Sequence, residues 1–506
     1  MIWLREHALQ LSFLVGYLAL LAYHGWRGKR ASKSLADFLI GGRGMGGVII
    51  SLSFFATFVS SVTFVGLAGR SYGRGPAWWI ICVVVFTTMV LLAWFVVAPP
   101  FVRQSRENGA LTVPEFLGIR YDSLLLRRLA GLVVVAASLA YLVAVYVGAA
   151  RLLESLLNLD GAIVLIGLFL VVTTYTLAGG FHSVVSTDAV QGVILFAGAL
   201  LLPAAMIARK GGLGPLLDSV REAEPTALDW TGEMPLVTMF GLALGVGIKI
   251  IVEPRQLSRF YGLSSDEQLR RGRWIAPVLL LVTYLCVLPV GFLAHAFVSP
   301  GELHSAGALD TDLVVPQLLG GASDLLGPIG GAFFLTALVA AAMSSLDSVL
   351  LVAASSVDRD LIAPGRDEQQ AMRLTRRWVV VLSAVATGIA FAPGQGIVEM
   401  SSFSGSMYAA CFLPTLIIGL FWKRGSRAGA LAALVIGFGV TLFWFLSKKT
   451  LAAGAYAGVH EVYVGMAVSI PLYVVVSLLK PSVESGSKDD GEANVLHREN
   501  SEKDPS

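Results

Sequence analysis

TALVAAAMSSLDSVLLVAASSV, residues Thr336 to Val357, is long enough to cross a bilayer and carries Ser344, Ser345, Asp347 and Ser348 at its middle. A carboxylate at mid-membrane depth costs roughly 2.5 to 3.5 kcal/mol on an insertion scale, so it faces a protein interior and meets an ion or a polar partner there. On a helix, Ser344, Asp347 and Ser348 stand at i, i+3 and i+4, which gathers two hydroxyls and a carboxylate on one face. Oxygen ligands of this kind suit a hard cation such as sodium.

The rest of the chain is equally greasy. With 56% hydrophobic and 14% charged residues over 506 positions, and a mean hydropathy of +0.74, it reads as an integral membrane protein. The formal net charge is only +3, and the basic residues sit in short connections between apolar runs, so nucleic acid is excluded as a partner. Cys82, Cys286 and Cys411 lie far apart inside apolar stretches, which leaves no visible disulfide framework or zinc motif. The run from Ala8 to Trp26 leads straight into WRGKRASKS without a small-residue cleavage site and reads as a retained helix.

Counting apolar runs of about 20 residues predicts an all-α polytopic protein of about thirteen transmembrane helices. They begin near Ala8, Val48, Ala77, Leu125, Gly161, Ser183, Pro235, Trp274, Pro328, Arg373, Gly396, Ala428 and Ala455. Basic clusters follow alternate helices: Arg27, Lys29, Arg30 and Lys33; Arg103, Arg106, Arg120, Arg127 and Arg128; Arg270, Arg271 and Arg273; Arg359, Arg366, Arg373, Arg376 and Arg377; Lys423, Arg424 and Arg427. The positive-inside rule makes these loops cytoplasmic, with the N-terminus outside and the C-terminus inside the plasma (inner) membrane. The polar tail after Lys480 is expected to be disordered and too short for a catalytic or signalling domain.

Two of the predicted helices are irregular. SLSFFATFVSSVTFVGLAG crowds Ser51, Ser53, Thr57, Ser60, Ser61 and Thr63 into the second, where packing across helices and a polar site are both open readings. The seventh, FGLALGVGIKIIVEPRQLSRF, carries Gly241, Gly245 and Gly247 before Lys249, and Pro254 beyond it. Such discontinuities are tolerated where they line a cavity or lie buried in protein. Two of them about five helices apart suggest an inverted-repeat transporter with its site at mid-membrane. Lys249 stands ten residues before Arg259, which is about 15 Å of helix from the cytoplasmic basic cluster. Its readings are a snorkelling or paired lysine and a countercharge for an anionic solute such as a monocarboxylate or pantothenate-like acid.

From Ala36 to Gly69, ADFLIGGRGMGGVIISLSFFATFVSSVTFVGLAG resembles the opening of the sodium:solute symporters, the sodium-coupled sugar, proline, pantothenate, monocarboxylate and iodide carriers. LTVPEFLGIRYDS, YTLAGGFHSVVSTDAVQG, EPRQLSRFYGLSSDEQLRRG, AAAMSSLDS and LIIGLFWKRGSRAGA follow in the family's order, nearly to the tail. The resemblance implies a five-plus-five inverted-repeat core of the neurotransmitter-transporter type. It divides the chain into a leading helix and loop (1–47), a transport core (48–422), two C-terminal helices (423–479) and the tail (480–506). It also implies no cofactor beyond the co-transported sodium ion. One sodium would be held by Ala56 and Val59 on one side and Ala341, Ser344 and Ser345 on the other. Asp188 falls where several members have an aspartate near an additional sodium, so Asp188, Asp347 and Ser348 form a candidate second cation site.

For the solute, the candidates are Phe58, Thr63, Lys249 and Ser402. At positions where sugar carriers use amide and acid side chains this chain has Phe58 and Thr63, and the next helix is apolar around Cys82, which argues against a sugar. GIVEMSSFSGSMYAA, with Ser401, Ser402, Ser404 and Ser406 about Gly405, offers a hydroxyl-rich wall or a packing seam. The expected function is sodium-driven uptake of a small organic solute by alternating access, with the bilayer, sodium and the solute as partners. The alternatives are a transporter-like sensor and a membrane-embedded enzyme. The enzyme would need paired acid or histidine motifs, whereas the seven histidines are dispersed.

Overall fold

Apolar runs bounded by capping residues become helices throughout the computed structural model, which describes residues 2–31, 34–230, 234–305, 308–320, 325–362, 368–451 and 458–480. We number the long helices α1 (Ala8–Ala31), α2 (Gly47–Phe58 continuing as Val62–Arg70), α3 (Gly75–Asn108), α4 (Leu124–Leu157), α5 (Gly161–Leu177) and α6 (Gly180–Arg209). They continue as α7 (Leu236–Tyr261), α8 (Asp266–Ala296), α9 (Gly327–Ile362), α10 (Glu368–Ala390), α11 (Ile397–Phe421), α12 (Arg427–Leu451) and α13 (Glu461–Leu479). Among the described residues ten of these helices are long and apolar enough to cross a membrane, eleven with the bent α2 counted as one span, against the expected thirteen; α5 is too short and α10 too polar to meet that measure. The expected helix start near Ala455 and the tail after Lys480 lie outside the described residues.

Local chemistry explains the boundaries. The Ser123 hydroxyl accepts from the Leu126 amide to open α4, and Asp160 accepts from Ala162 to open α5. Gly180, at φ +60°, turns α5 into α6, a conformation that glycine alone adopts without strain. The half-helices of α2 meet at 54°. Val59 there is extended (φ −76°, ψ 111°); its amide still donates to the Phe55 carbonyl at 3.0 Å, but beyond it the Ser60 and Val62 amides turn to the side-chain oxygens of Thr63 and Ser60. α7 breaks for a different reason: Glu253 precedes Pro254, whose ring pushes it into the extended region (ψ 126°), and the helix restarts with proline in its first turn.

α2 to α6 and α7 to α11 form two sets of five, each opening with its broken helix. Because five is odd, the second set starts on the opposite face of the membrane from the first, the condition for an inverted repeat. α9 is buried along most of its length against α2, α4 and α6, whereas α1, α12 and α13 lie at the periphery. A mid-membrane core surrounds both breaks, and its polar residues, among them Ser53, Thr57, Asp188, Lys249, Arg259 and Asp347, are buried.

Candidate functional site

The break in α2 faces the serine cluster of α9. The Ser344 hydroxyl lies 2.9 Å from the Ala56 carbonyl and 3.1 Å from the Ala341 carbonyl, and the Ser345 hydroxyl donates to the Thr57 carbonyl at 3.1 Å. A single hydroxyl proton serves only one acceptor fully, so Ala56, Ala341 and Ser344 bring three oxygens together with one proton among them. Val59 stands at the extended corner three residues after Ala56 and is buried. Neutral oxygens of this kind are chemically able to replace part of a hard cation's hydration shell.

One helical turn away, Asp188, Asp347 and Ser348 also meet, but around a guanidinium. Arg259 Nη2 lies 2.6 Å from Asp188 Oδ2, 2.5 Å from Ser348 Oγ and 2.9 Å from Thr57 Oγ1, and Nε donates to Ser53 Oγ at 3.1 Å. Ser53 and Thr57 also donate to Asp188, at 2.8 and 3.1 Å, and Ser348 donates to Asp347 Oδ1 at 3.1 Å. Arg259 is therefore not part of a cytoplasmic basic cluster: the break at Glu253 redirects α7, and the arginine is 1% exposed. Asp188 Oδ1 and Asp347 Oδ2 are buried without a hydrogen-bond partner. Two carboxylates and one guanidinium leave the cluster one positive charge short when all are ionised.

The break in α7 presents charge instead of neutral oxygen. Lys249, 1% exposed, donates to Ser401 Oγ at 2.6 Å and stands 3.9 Å from the centre of the Tyr141 ring. Arg255 lies 4.4 Å from the same ring centre and pairs with Glu253 at 2.9 Å. Among the described residues no carboxylate comes within ion-pair distance of Lys249. The Tyr141 hydroxyl donates to Ser60 Oγ at 3.0 Å, which joins this cluster to the break in α2. Close approach makes the arrangement feasible, since a Cβ at Gly405 would collide with the Gly245 carbonyl and crowd Lys249.

The other solute candidates separate. Phe58 packs edge-on against Phe86 beside the α2 break, and the Thr63 hydroxyl lies 3.4 Å from the Ser60 amide. Ser402 turns toward the Leu242 carbonyl and His460, each at 3.2 Å, so Ser401 and not Ser402 meets the lysine. Sequence reasoning named Ser401 in the hydroxyl-rich wall but chose Ser402 as the solute candidate, and it missed Tyr141, Glu253, Arg255 and the role of Arg259. Only the last had a signal, because a buried Asp188 demands a countercharge and EPRQLSRF supplied one.

Both ends of the bundle are closed by ion pairs. On the face carrying the arginine-rich loops, Arg127 pairs with Asp360 (2.8 Å) and Glu115 (3.3 Å), and Arg359 with Glu115 (3.0 Å). On the opposite face Arg70 pairs with Glu399 (2.5 Å) and Arg151 with Asp310 (2.9 Å) and Asp312 (3.3 Å). Two sets of pairs at opposite ends of one polar centre suit a protein that opens one end at a time.

Residues 38–437 match the model of the sodium:solute symporter family. A sodium/proline symporter of Staphylococcus aureus (strain bovine RF122 / ET3-1) is 29% identical over 489 residues, 94% of this chain and 93% of the relative. The osmoregulated proline transporter OpuE of Bacillus subtilis (strain 168) is 28% identical over 488 residues, 93% of this chain and 94% of the relative. A solved structure described as the substrate-bound outward-open state of a Na+-coupled sialic acid symporter aligns with a TM-score of 0.76 at 20% identity, covering 93% of this chain and 98% of that chain. That likeness concerns the fold, the five-plus-five inverted repeat.

Proposed function

The chain belongs to the sodium:solute symporter family, membrane-embedded carriers that couple sodium to a small organic solute, and from that premise we propose that its solute bears a carboxylate held at Lys249. The observation that carries the reading is a buried ammonium hydrogen-bonded to Ser401 while the nearby Glu253 is engaged by Arg255. A buried cation without a countercharge is costly, and an arriving carboxylate supplies one. The relatives named for proline support it, since proline carries a carboxylate.

Sodium binds, in this reading, at Ala56, Val59, Ala341, Ser344 and Ser345, where it draws the α2 break against α9. Tyr141 and Ser60 connect that point to Lys249, so occupancy of one site biases the geometry of the other, the coupling a symporter requires. The unpartnered oxygens of Asp188 and Asp347 support a second monovalent cation beside Ser348, with Arg259 already supplying part of the charge. The arginine-rich loops face the cytoplasm and the N-terminus lies outside. Positions 48–422 form the transport core, and no residue acts as a catalyst.

Reconstitution into liposomes with an imposed sodium gradient, and a panel of acids, amino acids, sugars and vitamins, tests the proposal. Uptake confined to carboxylate-bearing solutes is expected, and indifference to the carboxylate would remove it. A lower sodium-to-solute ratio in Asp347→Ala is expected from the second cation, and an unchanged ratio sinks that part alone.

A further inference from the structure

A cavity of about 520 Å³ opens beside the Arg70–Glu399 pair, lined by Arg70, Gly73, Arg74, Met234 and Thr311 among others. Arg74 distinguishes it. Its side chain is only 6% exposed, its Nη1 is buried without a hydrogen-bond partner, and its guanidinium lies 5.1 Å from the centre of the Trp78 ring. Among the described residues the neighbouring carboxylates pair with other groups: Glu399 with Arg70, Asp310 with Arg151, and Asp312, through Oδ2, with Arg151 and, at 3.4 Å, the Ile397 amide, while Asp312 Oδ1 has no hydrogen-bond partner and does not reach Arg74. Arg70 also keeps an unpartnered Nε. Burial draws the Arg74 guanidinium down to about 10, which leaves it charged at neutral pH. A buried guanidinium without an acceptor is a group that a carboxylate completes, and arginine's planar fork favours a bidentate fit.

We propose that this cavity is an outer anion subsite, in which Arg74, with Arg70 beside it, captures the carboxylate of the solute before it reaches Lys249. The inference rests on the carboxylate reading and on the outward orientation of this face. It adds a consequence for opening. A carboxylate bound at Arg74 competes with Glu399 for Arg70, and Glu399 stands on the first turn of α11, two residues before the Ser401 that contacts Lys249. Loosening the Arg70–Glu399 pair frees the end of α11 that guards the deep cluster, so arrival of the anion favours the opening it needs.

The test places a cysteine at Gly73→Cys, where an added Cβ meets nothing within 4 Å. The full-length protein is labelled with an anionic sulfonatoethyl and a cationic trimethylammonioethyl methanethiosulfonate, each rate normalised to that of free cysteine and corrected for the chain lacking the new cysteine. An anion-over-cation preference of about tenfold is expected from the local potential, falling to about one in Gly73→Cys/Arg74→Gln and retained with Arg74→Lys. Sodium acetate, against sodium chloride at equal ionic strength, should slow the anionic reagent in the parent and not in Arg74→Gln. No preference in the parent, or a preference and acetate protection that survive Arg74→Gln, overturns the subsite. Labelling in detergent but not in right-side-out vesicles overturns its outward placement. Lys249→Met keeps the labelling pattern even where it abolishes uptake, so failure of the carboxylate-transport reading is distinguishable from failure of this one.

Discussion

The breaks in α2 and α7 occupy the same position in the two repeats, yet their chemistry is opposite. In α2 the chain unwinds among Val59, Ser60, Ser344 and Ser345, where oxygens gather without a charged group at the corner. In α7 it unwinds between Lys249 and Pro254, where an ammonium and a Glu253–Arg255 pair surround one tyrosine ring. A broken helix thus supplies position and depth, while the residues on it decide the sign of what binds. Neutral oxygens suit a small cation that sheds its water, and a lysine suits an anion.

Arg259 ties the two breaks together, because it lies on the second half of α7 and grips Ser53 and Thr57 of α2 as well as Asp188. Arg259→Met should have the largest effect. Removing one partner of a buried ion pair costs roughly 3–5 kcal/mol, so a lower thermal midpoint in detergent and a poor yield of folded protein are expected. An unchanged midpoint would detach the two breaks from each other.

Lys249→Met tests the anionic half. Loss of a charged hydrogen bond to the solute should reduce carboxylate uptake by about 100-fold while sodium binding, followed by calorimetry, persists. Normal uptake would erase the contrast between the breaks. Ser344→Ala tests the cationic half and should raise the sodium concentration for half-maximal uptake about tenfold, with Ser345→Ala milder. Equal sodium dependence in both variants and the parent would move the ion elsewhere.

The smallest effect concerns the outer ion pairs. Burial raises the Asp312 carboxyl above the usual aspartate range, against the pull of Arg70 and Arg151. If opening hydrates Asp312, the closed arrangement holds its proton more tightly than the open one. Protonation then stabilises closure below the raised value, and this stabilisation is lost as pH rises through it. Uptake should therefore fall on acidification, and Asp312→Asn should flatten that limb by about twofold at its acid end. A pH profile identical to the parent's would leave Asp312 without a part in opening.

Much of the fold was legible because bilayer length and hydropathy are local properties. Ten or eleven of the thirteen apolar runs become helices long and apolar enough to span a membrane, and the break at Pro254 follows from proline's own geometry. The break at Val59 was announced only by an excess of serine and threonine. The candidate sites were legible in part. Asp188 and Asp347 demanded partners, but their partner was assigned to a cytoplasmic cluster because an unbroken helix would have carried Arg259 there. Ser401 and Ser402 differ by one residue, about 100° around a helix, and no spacing rule says which faces Lys249.

The sequence by itself determined a polytopic helical membrane protein with two irregular helices, buried acids that require cations, and a family resemblance that the family model bears out. Only the tertiary structure decided that Arg259 stands between Asp188 and Ser348, that Tyr141 links the two breaks, and that Arg74 lies unpaired beside a cavity. The physical reason is range. Hydrophobic length and backbone restriction act within a few residues, whereas the energy of a buried charge depends on which groups packing brings within about 3 Å of it, however far apart they lie in the chain.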